Sequence, residues 1–234
     1  MSIILLGTSH GDTKGKERLH QSLDILLPEI LTIEASPEVV EIRKKDRQLY
    51  DWLRQTLTEK QINQNFIDFF MSTLPKEGET QFEIAAAEDY ASRTGIKLKY
   101  IDDPSMAEAT KQEGLRHYRD LISRVPQGAV INVPTPEELQ TANDRNYAFA
   151  AFGMTTPNSP EVLKFLKTIR GSMIGKRDKY MEGEIRKEED SEKRLVHIGG
   201  FAHMLDDPMS ETLYSRIKNL RPERRLIYNP QEVF

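Results

Sequence analysis

A chain of 234 residues, 38% hydrophobic and 30% charged, is long enough to bury one large core, alone or with an inserted lobe, and has the polarity of a soluble protein. A net charge of −4 without any basic block argues against nucleic acid as a partner. The absence of cysteine removes disulfides, thiolate metal ligands and cysteine nucleophiles.

The N-terminal apolar run ends at Leu6 with no basic segment before it. That is too short for a signal-peptide core or a membrane span, so a cytoplasmic protein without a membrane partner is expected. Ser2 to Leu6, closed by Gly7, reads as a buried strand. Leu19, Leu23, Leu26, Leu27 and Ile30 then recur at helical spacing, and Leu31 to Ile33 makes a second short strand ending at Glu34. From Pro37 to about Met71 two helical segments are expected, one through Trp52 and Leu57 and one through Ile62 and Phe70. A break at 75–80 precedes another helix, with Thr80 as N-cap and Glu83 three residues on, the spacing of a capping box.

Ile96 to Ile101 reads as a third strand and the stretch from Pro104 to about Arg124 as helix, while Gly128 to Val133 is either a strand or an apolar connector. Proline chemistry at 134–138 starts a helix. After a loop at 155–160, one long helical run is expected from Glu161 to about Lys187. A strand at Arg194 to Ile198, a short helix near Ser210 to Lys218 and a strand at Arg225 to Tyr228 complete the chain. The pattern predicts an α/β fold: a mixed, mostly parallel sheet formed from N- and C-terminal strands, with a helical lobe inserted at roughly 37–77 and 106–190.

Two stretches stand out against this frame. Gly7-Thr8-Ser9-His10 and Gly200-Phe201-Ala202-His203 each follow a strand, and carboxyl ends of strands in open α/β sheets are where catalytic groups collect. A glycine lets the backbone turn sharply, and imidazole can serve as metal ligand or base near neutral pH. Either histidine can also be a plain turn or packing group. Glu34 is either solvated at the sheet rim or held beside the histidines, and Glu83 either caps its helix or joins them. Arg177 and Asp178 lie in a charged segment whose side chains are expected to face water, and His20, His117 and His197 read as surface or packing residues. The aromatics Trp52, Phe66, Phe69 and Phe70, and those from Tyr147 to Phe152, are expected in the core, with a specificity lid or a homodimer face as the alternatives.

Together these segments resemble the TraB/TIKI superfamily, which includes the PrgY-type pheromone-shutdown proteins and is related to the erythromycin-esterase and ChaN-like folds. The matching motifs are Gly7-Thr8-Ser9-His10, Glu34, the glutamate-alanine helix from Phe82 to Ala91 running on to Asp102, Arg177-Asp178-Lys179-Tyr180-Met181, and the closing Gly200 to His203. Asp103 stands where the family usually has a basic residue, and 37–77 and 106–160 carry no match.

The resemblance implies a metal-dependent hydrolase of the peptidase or esterase type, with His10, Glu83 and His203 at the metal. Glu34 would be general base or further ligand, and Arg177 the anion-stabilising group; Glu34 and Glu83 are interchangeable in this reading. Two histidines with oxygen ligands suit manganese, cobalt or zinc. A peptide or small-molecule substrate is the expected partner. Two alternatives remain: a non-catalytic protein sequestering a peptide, small ligand or haem-like group, and a metal-free esterase with a histidine base.

Overall fold

The computed structural model describes residues 2–38, 40–41, 47–73, 81–106, 112, 116, 119–170, 174–189 and 191–229. The expected N-cap Thr80, the break at 75–80, His117 and most of the segment 107–118 fall outside them.

In chain order the elements are β1 (Ser2–Thr8), α1 (Gly15–Leu26), β2 (Ile30–Ile33), α2 (Arg47–Glu59), α3 (Gln64–Thr73), α4 (Phe82–Thr94), β3 (Lys97–Tyr100), α5 (Pro136–Thr155), α6 (Pro160–Ile169), α7 (Lys176–Arg186), β4 (Arg194–Gly200), α8 (Leu213–Ile217) and β5 (Glu223–Leu226). The five strands form one sheet in the order β3-β2-β4-β1-β5, and every pairing is parallel, so the sheet is not mixed. β1, β2 and β4 are continuous apolar runs because helices cover both faces of such a sheet. β5 is an edge strand that opens with Glu-Arg-Arg, which is why the sequence places it two residues late, at Arg225.

The chain forms two compact units: Met1–Ala35, Phe82–Asp103 and Glu137–Phe234 in one, Ser36–Gln81 and Pro104–Pro136 in the other. Residues 137–190, expected in the inserted lobe, group with the sheet. In the sheet unit, Ile3, Leu5, Ile30 and Leu195 from the strands pack with Met181, Ile185, Leu213 and Ile217 from the helices. In the second unit, Leu53, Leu57, Ile62, Ile67 and Ile122 form a separate core, with Trp52, Phe66 and Phe70 packed around it. Those three aromatics are partly buried and pack against the core of their own unit; of the later aromatics Tyr147 is fully buried, whereas Phe152, expected in the core, is 40% exposed.

Three local expectations give way to backbone chemistry. Leu27 is not on the buried face of α1: it caps that helix at φ 48° and is exposed, while Ile30 already belongs to β2. The run expected from Glu161 to Lys187 is two helices, because Arg170 turns extended (φ −66°, ψ 134°) and Gly175 takes φ 108°, a value that suits glycine alone. Gly128 to Val133 is a connector, not a strand; the Asn63 amide bonds both the N–H (2.8 Å) and the carbonyl (3.2 Å) of Ile131.

Candidate active site

The parallel register brings the two Gly-x-x-His stretches together. Gly7 lies opposite Gly199 and Thr8 opposite Gly200 on the adjacent strands β1 and β4, and β2 flanks β4 with Ile33 opposite Ile198. The chain leaves β1 toward the β3 edge and β4 toward the β5 edge, so the two connections run in opposite directions from the carboxyl ends of neighbouring strands, the place where sites collect in open α/β sheets. Residues from the ends of β1, β2, β3 and β4 meet there.

Each histidine is held through Nδ1 by a carboxylate. His10 Nδ1 lies 2.7 Å from Glu83 Oε1, which also accepts from the Thr8 hydroxyl at 3.0 Å. His203 Nδ1 lies 2.7 Å from Asp178 Oδ1. Asp178 is at the third position of α7, where its other oxygen accepts from the Gly175 N–H at 2.9 Å and Oδ1 accepts also from Leu213 N–H at 2.5 Å. One buried carboxylate thus caps a helix, orders the chain entering α8 and orients an imidazole.

Pinned in this way, His203 turns Nε2 onto Glu34, and His10 Nε2 and Glu34 Oε2 both lie beside Gly200. His203 Nε2 is 3.0 Å from Glu34 Oε1. A methyl group at Gly200 would meet His10 Nε2 at 3.1 Å and Glu34 Oε2 at 3.6 Å, so the missing side chain makes room for both. Glu34 also accepts from Gly200 N–H at 2.7 Å and from Arg177 at 2.8 Å. Arg177 in turn makes a bidentate contact with Asp102, at 3.0 and 2.5 Å.

The charges follow from these contacts. Burial would raise the Glu34 pKa, but the His203 and Arg177 cations outweigh it and hold the carboxyl well below its usual range. Burial likewise opposes charge on His203, yet Asp178 and Glu34 push its pKa up to about 10. At His10 burial is outweighed by the Glu83 hydrogen bond and charge, which raise the pKa, and the side chain is 47% exposed. His203 and Glu34 are buried, so His10 is the solvent-facing member.

Side chains from α5 and α1 fix the His10 loop. Tyr147 on α5 accepts from Ser9 N–H (3.2 Å) and donates to the Asp12 carboxylate (3.0 Å), which Arg18 also binds at 2.8 Å. Asn143, one turn before Tyr147, donates to the Gly11 carbonyl at 3.0 Å.

The structure therefore brings His10, Glu34, Glu83, Arg177 and His203 into one cluster within the sheet unit. Glu83 is buried against Thr8 and His10, and its Oε2 has no hydrogen-bond partner among the described residues. Arg177 and Asp178 do not face water as expected: Asp178 is fully buried and Arg177 mostly so. Sequence reading gave Asp178, Thr8 and Tyr147 no role, although an aspartate three residues after Gly175 is a capping signal. His197 is a packing residue, buried beside the cluster with Nδ1 3.1 Å from the Thr32 hydroxyl; burial drives its pKa down to about 3.

Fold and site define a class: an all-parallel α/β protein with a histidine–carboxylate cluster at the carboxyl ends of its strands. No protein-family model, no curated protein and no solved structure matches the chain. No helix among the described residues is long and apolar enough to cross a membrane.

Proposed function

We propose that this protein is a hydrolase of peptide or ester bonds, working with a divalent metal ion held by His10, Glu34 and His203. One observation supports the reading: two imidazoles at adjacent strand ends are each fixed at Nδ1 by their own carboxylate, and the Nε2 of His203 meets a third, Glu34. A carboxylate behind each histidine is the usual way a metal-binding imidazole is oriented. Two donors each about 2.1 Å from one ion stand roughly 2.9–3.4 Å apart; His203 Nε2 and Glu34 Oε1, 3.0 Å apart, have that spacing, although no three His, Asp or Glu side chains among the described residues are already set around one ion. The partnerless oxygen of Glu83 adds unused acceptor capacity beside His10. Of the two glutamates left interchangeable by the sequence, Glu34 meets an Nε2 (His203) and Glu83 an Nδ1 (His10), which supports Glu34 as the ligand.

An ion in that position supplies a Lewis acid and lowers the pKa of a water to roughly 7. The protein's own groups do the rest. Glu83 orients His10 from its Nδ1 side. Asp178 fixes the His203 ring. Arg177, spanning Glu34 and Asp102, keeps Glu34 ionised and in place, which is where its contacts put it in preference to an oxyanion.

A second reading is a metal-free esterase with His10 as base. It is favoured by the contacts of His203, whose two nitrogens both meet carboxylates and favour the imidazolium. The deciding experiment measures metal content and hydrolysis of a peptide and ester panel before and after chelation. Stoichiometric metal and chelator-sensitive turnover support the first reading, and turnover indifferent to chelator supports the second. Metal or ligand binding without turnover would mark a sequestering protein instead.

A further inference from the structure

On the outer side of α7 a separate cavity of about 450 Å³ is lined by Lys167, Arg170, Lys176, Lys179, Glu211 and Arg216. The lining holds five cations and one carboxylate; Asp207 and Glu182 also pair with the two arginines, which leaves a net local formal charge of +2 (5 − 3) in a chain whose total is −4. Such a reversal concentrates anions, since a concave wall of one sign focuses the field.

The cations divide into two groups. Arg170 and Arg216 are fixed by the protein: Arg170 bonds the buried Asp207 at 2.8 Å, and Arg216 Nε donates to the Glu211 carbonyl at 3.2 Å. Lys167, Lys176 and Lys179 are exposed and have no carboxylate partner among the described residues. Lys176 and Lys179 sit three residues apart and share one face of α7, whose N-terminal end adds the positive pole of its dipole. Arg170 Nε and Glu211 Oε2 form an ion pair at 3.0 Å, so Arg170 is held by two carboxylates and the three lysines are the cations left to meet a ligand.

We propose that this cavity binds a small, multiply charged phosphoryl anion, gripped by Lys167, Lys176 and Lys179 over the fixed Arg170. Its volume admits a diphosphate-sized group, and compact ammonium groups around a helix start suit tetrahedral phosphoryl oxygens. The proposal is independent of the hydrolase reading. The two sites nonetheless share α7: Gly175 lines the cavity, and its N–H holds the Asp178 carboxylate that orients His203.

The test is isothermal titration of the purified full chain with inorganic pyrophosphate, with citrate as a carboxylate control of similar charge. Saturable binding of one pyrophosphate, weakened at least tenfold in the Lys176→Gln/Lys179→Gln double variant and by added salt, is expected. Lys193→Gln, before β4, is the control that retains wild-type affinity. Circular dichroism of the double variant verifies folding, and Lys167→Gln provides a second, independent loss. No saturable binding, or binding unchanged in both lysine variants, overturns the proposal; equal affinity for citrate overturns its phosphoryl identity.

Discussion

Replacing Asp178 by asparagine keeps the shape of the side chain and removes the charge that faces His203. In the fold, His203 holds its proton to about pH 10 against an ordinary value of 6.5. A proton held about 3.5 pH units more tightly, at about 1.36 kcal/mol each, corresponds to about 5 kcal/mol. Asp178 and Glu34 share this, so Asp178→Asn is expected to cost roughly 3 kcal/mol at pH 6 in chelator-treated protein. The sign with pH follows from the raised folded pKa. The stabilisation is complete below pH 6.5 and is lost as pH rises toward 10, because there the fold holds a proton that the unfolded chain has released. Urea denaturation at pH 6, 8 and 9.5 should therefore show the gap between wild type and variant narrowing, to a remainder from the Gly175 and Leu213 N–H groups that lose their acceptor. A loss under about 1 kcal/mol at pH 6, or a gap that widens with pH, would refute the reasoning.

Further outcomes follow from neighbouring residues. His197 is buried neutral, with its pKa lowered to about 3. Below about pH 6.5 the unfolded chain takes up a proton there that the fold refuses, so stability falls on acidification by up to about 1.4 kcal/mol per pH unit. In His197→Gln, urea midpoints measured between pH 6 and pH 4 should decline less steeply than in wild type. Gly15→Ala would place a methyl 2.4–2.7 Å from the Phe82 ring where α1 meets α4; thermal denaturation should show a loss of about 1–3 kcal/mol. Thr8→Val removes the hydroxyl donor to Glu83 and should cost about 1–2 kcal/mol while leaving the far-ultraviolet spectrum unchanged.

What the sequence conveys about this molecule follows the range of the forces involved. Buried parallel strands announce themselves as apolar runs, so β1 and β4 and the two glycine turns after them were legible, and their pairing puts the two strand ends side by side. β5 was harder to place because an edge strand tolerates Glu-Arg-Arg, and the break between α6 and α7 hangs on backbone angles at Arg170 and Gly175. Within the cluster, residue identity was legible but pairing was not. Glu34 and Glu83 look equivalent along the chain, and only the packing of β2 beside β4 and of α4 beside α1 puts one against His203 and the other behind His10. Asp178 was hidden for a different reason: in a charged helix an aspartate reads as solvated, and its burial depends on His203 and Leu213, 25 and 35 residues away.

Metal content and turnover of the His203→Gln variant, measured beside wild type on the same peptide and ester panel, probe the central claim most directly. His203→Gln retains a polar side chain against Asp178 but removes Nε2 from Glu34. The account predicts near-stoichiometric metal and chelator-sensitive hydrolysis in wild type, with both lost in a variant that remains folded. A folded variant with undiminished metal and undiminished hydrolysis would contradict it.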